Sequence, residues 1–319
     1  QESFMSTPNM ISTLFGHEEF SIIADSAAFL RECALQGFKT ANIFELTKLP
    51  KNTIVFSFSN QAARVMFQIA ENADRKKSIF CAAQVFEPSV TAAMYSLRLL
   101  LSSDFEHSLS MQRSVLSMLN SNQKFSLHGN HAAASVSIHS HAKAYALLAE
   151  DISDNFIQSV AEFFEVHYAH MDPKEPSPFS FNGTLRVAGI LAVQRKPNPT
   201  LPEGLKSSLR WLSDRIAQEG ATISIKDNTI ISFKINDEEQ IKLLDLAAGN
   251  RGLKLTEFAI GVNQAIAPDI DYKMNSQMNE GISGVHLAIG DGSSGFHIDF
   301  LSPSVYVTPL HTISEQANA

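Results

Sequence analysis

Two histidines and an aspartate stand close together near the C-terminal end of the sequence, in the segment GVHLAIGDGSSGFHIDF of residues 284–300. His286 lies in one apolar run, and His297 and Asp299 lie in the next, beyond a Gly/Ser-rich turn. Imidazole and carboxylate groups are the usual ligands of zinc and of mononuclear non-haem iron. The segment therefore indicates a metal site on a strand-like hairpin.

The register of this hairpin decides whether the three side chains meet. Side chains alternate between the two faces of a strand, so His297 and Asp299 share one face. A turn over GDGSSG that pairs Ile289 with Phe296 places His286 directly opposite Asp299. Opposed Cβ atoms lie about 5 Å apart, which is close enough for one cation to bridge. We therefore expect a facial triad of two histidines and one carboxylate.

Composition narrows the class of protein. The chain has 319 residues, 44% of them hydrophobic, and a net charge of −8, which argues against a nucleic-acid-binding surface. Neither Cys33 nor Cys81 has a CxxC partner, and no nucleotide-binding glycine motif occurs. No apolar run reaches membrane-spanning length. We expect a cytoplasmic protein that binds neither nucleic acid nor membrane.

The elements predicted around this hairpin fall into two domains. Strand-like and helical segments alternate over residues 5–171, which predicts an α/β domain with parallel strands. Its last segment, residues 155–171, is predicted as a helix. Three prolines within residues 172–180 indicate a linker. Residues 181–319 are predicted as an α+β domain with a mainly antiparallel sheet, including a hairpin over 222–237.

A second group of histidines precedes the linker: His128, His131, His139 and His141. His139 and His141 could share a strand face, which leaves zinc binding open. No carboxylate or cysteine stands beside them at the spacing of known zinc sites. We interpret them as polar residues of a loop and a strand end.

Three segments, TEFAIGVN, NEGISGVHLAIGDG and HIDFLSP, together resemble the C-terminal half of the aminopeptidase T family of metallo-aminopeptidases. The 2,5-dihydroxypyridine dioxygenases share that fold. The glutamate, H-x-A-x-G and H-x-D strands of the family match Glu257, His286, His297 and Asp299. The resemblance covers roughly residues 180–303. It implies the aminopeptidase T-like fold, a homodimer, and these four side chains as metal ligands.

The sequence departs from the family at two further positions. Aminopeptidase T-like enzymes hold two metals, and one ligand is a glutamate after a P-x-G turn. Leu205 stands there in this sequence, with Glu203 two places earlier. The family also carries a tyrosine between its last two histidines, where this chain has only a short turn. Tyr272 and Tyr306 are the candidate replacements.

The missing glutamate predicts a single divalent metal, Fe²⁺ or Zn²⁺, in place of two. Glu280, just before the first histidine strand, is the candidate general base, and the alternative interpretation is an exposed carboxylate at the entry to that strand. The predicted function is action on a peptide or a small aromatic substrate, by metal-dependent hydrolysis or by non-haem iron oxidation. An alternative is a catalytically degraded peptide-binding protein that presents a precursor peptide in natural-product maturation. A third hypothesis is a purely structural dimer partner.

Overall fold

A computed structural model of the protein describes residues 11–310. The outer ends of the two predicted domains, residues 5–10 and 311–319, lie outside the described residues. The fold is mixed α/β, with a parallel sheet of five strands and antiparallel sheets of five and seven strands. Among the residues described, no helix has the length and apolar character that crossing a membrane requires.

The strands are, in chain order, β1 Ser21–Ala24, β2 Lys39–Asn42, β3 Asn52–Phe56, β4 Lys77–Cys81, β5 Lys124–His128, β6 Ala133–Ile138, β7 Phe156–Ser159, β8 Glu165–Ala169, β9 Phe179–Val187, β10 Gly189–Val193, β11 Ala221–Lys226, β12 Thr229–Ile235, β13 Glu238–Glu239, β14 Leu255–Gly261, β15 Gly284–Ile289, β16 His297–Pro303 and β17 Tyr306–Pro309. The α-helices are α1 Ile11–Leu14, α2 Ala27–Leu35, α3 Asn60–Glu71, α4 Val90–Ser102, α5 Phe105–Ser121, α6 Leu205–Glu219 and α7 Ile241–Ala248.

The parallel sheet has the strand order β2-β1-β3-β4-β7. All five residues of β3 are buried, as expected of a parallel strand covered on both faces. Ile54 and Phe56 belong to one apolar cluster, while Val55 between them belongs to another. Two layers of core therefore sandwich this sheet, which confirms the predicted parallel α/β layer.

The five-stranded antiparallel sheet has the order β10-β16-β15-β14-β8 and packs against the seven-stranded sheet, β13-β12-β11-β9-β6-β5-β17. Phe258 of β14 lies 6.0 Å from Phe179 and 6.1 Å from Phe181 of β9, between ring centroids. Phe300 of β16 lies 5.3 Å from Phe233 of β12. One face of the five-stranded sheet thus packs against the seven-stranded sheet in the core, and polar residues lie on its other face.

The predicted linker does not lie between separate sheets. Strands β5, β6 and β8 precede residues 172–180, yet β6 pairs with β9 and β8 pairs with β14. The proline-rich segment therefore connects strands of the two antiparallel sheets. A local signal such as a run of prolines marks a turn, but it carries no information on which distant strands will pair.

The helix predicted over residues 155–171 is wrong. The segment forms β7, a short 3-10 helix at Val160–Phe163, and β8. Val166 and Tyr168 of β8 enter the core, while Glu165 and His167 alternate with them. This two-residue period is the strand signal that the aromatic residues of the segment obscured.

Candidate metal centre

The polar face of the five-stranded sheet gathers imidazole and carboxylate side chains from four adjacent strands. They are Glu165 and His167 of β8, Glu257 of β14, His286 of β15, and His297 and Asp299 of β16. All except His167 are at most 8% exposed. Burial of so many ionisable groups on one face is costly unless they pair with one another or bind a cation.

Glu257 lies at the middle of this arrangement. Its Oε1 is 3.2 Å from His286 Nε2, and its Oε2 is 3.7 Å from His297 Nε2. Glu165 Oε2 lies 3.3 Å from the same atom of His286. Asp299 Oδ1 lies 3.2 Å from His297 Nε2. The two oxygens of Glu257 therefore face two different histidines, each of which has a second carboxylate beside it.

These side chains form two ligand groups that share Glu257. One consists of Glu165, Glu257 and His286, and the other of Glu257, His297 and Asp299, with the ligand atoms of each within 4.8 Å of one another. Each group offers one imidazole nitrogen and two carboxylates, a donor set that suits Zn²⁺, Mn²⁺ or Fe²⁺. The arrangement can hold two cations bridged by one carboxylate.

The predicted triad of His286, His297 and Asp299 is not one of these groups, because the predicted register is wrong. Ala288, not His286, lies opposite Asp299, and His286 lies opposite Leu301. Residues 290–297 separate the paired Ile289 and Ile298, two residues more than GDGSSG, and the pairing is shifted by two positions. A two-residue shift keeps each side chain on its predicted face but moves His286 away from Asp299.

Gly290 holds the second histidine in place. The carbonyl oxygen of Gly290 lies 2.9 Å from His297 Nδ1, so this ring nitrogen donates and Nε2 faces the carboxylates. Thr256 Oγ1 donates to the same carbonyl at 2.8 Å. Gly290 has φ +72°, and a Cβ there would lie 2.0 Å from the carbonyl oxygen of Phe296. Glycine is therefore required for the turn that orients His297.

Burial and negative charge act together on two of the carboxyl groups. Burial raises the pKa of Glu165 well above its ordinary value, and the charges of Glu280 and Glu257 raise it further. Burial likewise raises the pKa of Glu280, with the charges of Asp299 and Glu257 next in importance. Both groups would release their protons more readily if a cation lay beside them.

The pKa values of Glu257 and His297 are shifted so that both side chains favour their charged forms. Burial by itself opposes ionisation of Glu257, but its hydrogen bond with His286 and the charge of His297 lower its pKa to about 2. Burial also opposes protonation of His297, yet the charges of Asp299 and Glu257 raise its pKa to about 10. Without a metal, the proton on His297 partly neutralises the neighbouring carboxylates.

The site retains an excess of acidic groups and unsatisfied oxygens. Among residues 11–310, Glu165 Oε2 and Asp299 Oδ2 are buried without a hydrogen-bond partner. No lysine or arginine in that range forms an ion pair with the carboxylates around the site, which are Glu162, Glu165, Glu257, Glu280 and Asp299. Buried polar atoms are normally satisfied, so these residues fit bound divalent cations.

A cavity of about 390 Å³ opens onto both ligand groups. Glu280, in the 3-10 helix Gln277–Gly281, is half-buried and lines this cavity with Glu257, His297 and Asp299. Glu280 belongs to neither ligand group. Its role as a general base stays a prediction, and its position beside the ligands is compatible with that role.

Sequence reasoning missed the contribution of β8. Glu165 supplies the carboxylate of the first group, and Glu162, Glu165 and His167 form a third ligand group beside it. His167 Nε2 lies 3.5 Å from Glu162 Oε2. The signal was present as E-x-x-E-x-H, but the helix predicted for this segment gave no reason to place it beside β14.

The other sequence candidates lie elsewhere. Leu205 begins α6 and is buried in the core, and Glu203 is exposed. Tyr272 packs on Gly189. Tyr306 is 61% exposed. None of these four candidate residues joins a ligand group within the range described.

The histidines before the linker have structural contacts. His139 Nδ1 lies 2.7 Å from the carbonyl oxygen of Ser177, and its Nε2 lies 2.9 Å from Ser180 Oγ. His128 stacks on Tyr306. Over residues 11–310 none of the four histidines enters a metal-ligand group, in agreement with the interpretation as loop and strand-end residues.

The fold and this face of the sheet define a mixed α/β protein with a buried cluster of candidate metal ligands. The model of the family described as crocagin biosynthetic protein CgnE/B matches residues 17–309, and the chain belongs to that family. The comparison with curated proteins found no match.

Two solved structures are similar to the chain at low sequence identity. Wild-type AmpT from Thermus thermophilus is 13% identical, with a TM-score of 0.48 over 92% of each chain. The 2,5-dihydroxypyridine dioxygenase from Pseudomonas putida KT2440 is 9% identical, with a TM-score of 0.47 over 97% of this chain and 94% of that one. These two structures are an aminopeptidase T and a 2,5-dihydroxypyridine dioxygenase, the two kinds of protein that the sequence resemblance named.

Proposed function

We propose that the protein is a divalent-metal-dependent hydrolase that acts on a peptide in crocagin-type biosynthesis. One observation carries the proposal: the two oxygens of Glu257 face His286 and His297, and each histidine has a further carboxylate beside it. Two cations that share a carboxylate are the arrangement of many enzymes that hydrolyse amides and phosphate esters. The family name supports a role in biosynthesis.

Glu165 and His286 would hold one cation, His297 and Asp299 the other, and Glu257 both. Divalent cations in such a ligand set polarise a carbonyl group and lower the pKa of bound water. The buried face excludes bulk water from the ligands, and the cavity of about 390 Å³ leaves room for a peptide group.

Glu280 is the residue we propose for proton transfer. Hydrolysis breaks the amide C–N bond, adds the water oxygen to the carbonyl carbon and moves a proton to the departing amine. As a carboxylate that lines the cavity, Glu280 can take this proton from the attacking water and, because burial raises its pKa, deliver it to the amine nitrogen. Glu280 is not needed as a ligand in this scheme, which leaves it free to act.

The experiment is incubation of the protein, loaded with Zn²⁺, Mn²⁺ or Fe²⁺ under argon, with a pool of synthetic peptides. Mass spectrometry should detect shortened peptides and released amino acids. Glu257→Gln should abolish this activity, whereas Glu203→Gln, at an exposed position outside the ligand groups, should leave it intact. Intact peptides with every metal would contradict the proposal, and addition of oxygen to a substrate would favour iron-dependent oxidation instead.

A peptide-binding protein without turnover is the second candidate. The observation that favours it is the lining of the cavity, which contains no tyrosine among residues 11–310, although the resemblance implies one near the metals. In that case the protein would retain peptides in equilibrium dialysis and return them unchanged. The homodimer implied by the resemblance also stays a proposal, which light scattering of the purified protein would test.

A further inference from the structure

A second cavity, of about 320 Å³, adjoins the first. Val85, Phe86 and Arg195 line both cavities, so the two share a wall. The segment of Val85 and Phe86 follows the parallel strand β4, and Arg195 follows β10 of the sheet that carries the ligands. A ligand at the metal centre could therefore extend past these residues into the second cavity.

The second cavity is basic, in contrast to the first. Arg195, Lys206, Arg210 and Lys273 line it, in a chain whose net charge is −8. Arg210 pairs with Glu87 at 3.4 Å. Within residues 11–310 the other three cations form no ion pair with a carboxylate. Unpaired cations around a concave surface attract anionic groups.

The floor of this cavity is apolar. Ile190, Leu209 and Phe296 contribute to it, and all three are buried. An apolar floor below a cationic rim suits a group that has both a hydrocarbon part and a carboxylate. A small inorganic anion would use only the rim and would leave the floor uncovered.

One wall of the cavity is the open edge of a sheet. β10 is an edge strand, and its Ile190 and Ala192 line the cavity. The side-chain amide of Asn275 pairs with Ala192 as a peptide group would: Ala192 N–H donates to Oδ1 at 3.0 Å, and Nδ2 donates to the Ala192 carbonyl at 2.9 Å. The main chain of Ala192 is thus already paired, and the side chain of Asn275 forms part of the cavity wall beside this strand.

We infer that the second cavity binds a carboxylate-bearing segment of a peptide, next to the bond that lies at the metal centre. The inference rests on the proposed function for the identity of the neighbouring site. Acidic side chains would pair with Lys206, Lys273 and Arg195, and the adjoining hydrocarbon would cover the apolar floor. Substrates would thereby be selected for negative charge on one side of the reacting amide.

The test is equilibrium dialysis of the metal-loaded protein against an equimolar pool of C-terminally amidated synthetic pentapeptides. Half of the pool carries an aspartate or a glutamate, and the matched half carries asparagine or glutamine at the same place. The acidic members should be retained about tenfold more strongly at low salt, and the preference should fall as salt is added. The double substitution Lys206→Ala and Lys273→Ala should remove most of the preference.

The control is the double substitution Lys226→Ala and Lys234→Ala, at exposed positions outside the cavity, which should change nothing. Equal retention of the two halves, or retention of neither, overturns the inference. Tighter retention of inorganic phosphate, dialysed alone, than of the acidic peptides overturns it as well. Acidic peptides that are retained but never cleaved would support the inference and contradict the hydrolase. Equal cleavage of both halves without preferential retention would support the hydrolase and contradict the inference.

Discussion

The carboxylate of Glu165 lies 3.3 Å from the imidazole of His286, although β14 runs between the strands that carry them. This contact gives the ligand group of His286 a carboxylate that sequence reasoning did not place there. Under the proposed function, a residue from a different strand would hold a second cation, in place of the single metal that the sequence predicted.

Glu165→Gln should remove one of the two cations. The amide keeps the shape of the side chain but loses the negative charge that the group with His286 contributes. We expect elemental analysis to give about half the metal content of the wild-type protein. Glu203→Gln is the matched control and should keep the full content. A wild-type metal content in Glu165→Gln would mean that Glu165 is not a ligand.

His286→Ala and His297→Ala should each remove a different cation. The histidines belong to separate ligand groups that share only Glu257, so each single variant should keep one cation and the double variant none. His107→Ala, on the exposed side of α5, serves as the control. If either single substitution removed all bound metal while the protein stayed folded, the two groups would not be separable sites.

Stability of the metal-free protein should fall as pH rises. The pKa values of Glu165 and Glu280 are raised above 4.5 in the folded state. The stabilisation of the folded protein by these two groups is therefore complete below pH 4.5 and is lost as pH rises through the folded-state pKa values. The pKa of His297 is raised from 6.5 to about 10. The stabilisation of the folded protein by this histidine is therefore complete below pH 6.5 and is lost as pH rises through about 10. Differential scanning calorimetry after chelation should show a falling Tm from about pH 6 to 9.

Added Zn²⁺ should reverse this trend. A divalent cation replaces protons at the same ligands, so the increase in Tm on adding metal should grow with pH over this range. Glu165→Gln combined with Glu280→Gln should weaken the pH dependence of the metal-free form and leave the part that comes from His297. A Tm of the chelated wild type that rises steadily over the same range would contradict the assignment of these raised pKa values.

The core behind the site should be sensitive to truncation at Phe258. Its ring is fully buried between the two antiparallel sheets and lies next to Glu257 in β14. Phe258→Ala should lower the free energy of unfolding by about 3–5 kcal/mol, measured by denaturant titration. Phe67→Ala, at a side chain that is 50% exposed, should cost less than about 1 kcal/mol. Equal losses for the two variants would argue against this packing.

Local signals in the sequence were sufficient for several elements. The Asp227–Asn228 pair predicted a hairpin over residues 222–237, and both residues have positive φ, as a tight two-residue turn requires. The alternation in FHIDF placed His297 and Asp299 together on one polar face, where the structure also has them. These features depend on neighbours in the chain, which is why the sequence could predict them.

Long-range pairing was beyond the sequence signals. The partner of Glu257 on one side is β8, a strand that precedes the proline-rich segment and was predicted as a helix. The hairpin register depends on the length of the connection around Gly290, and counting GDGSSG gave two residues too few between the paired residues. Glu165 and His286 are brought together by the pairing of strands that are distant in the chain. No local sequence pattern predicts such a contact.

The most direct test is the number of divalent cations bound per chain, measured by inductively coupled plasma mass spectrometry after loading with Zn²⁺, Mn²⁺ or Fe²⁺ and extensive dialysis. The shared position of Glu257 between two ligand groups predicts about two cations per chain, and none in Glu257→Gln. Wild-type protein that binds no cation under any of these conditions, or Glu257→Gln protein that binds as much as the wild type, would contradict the metal centre itself.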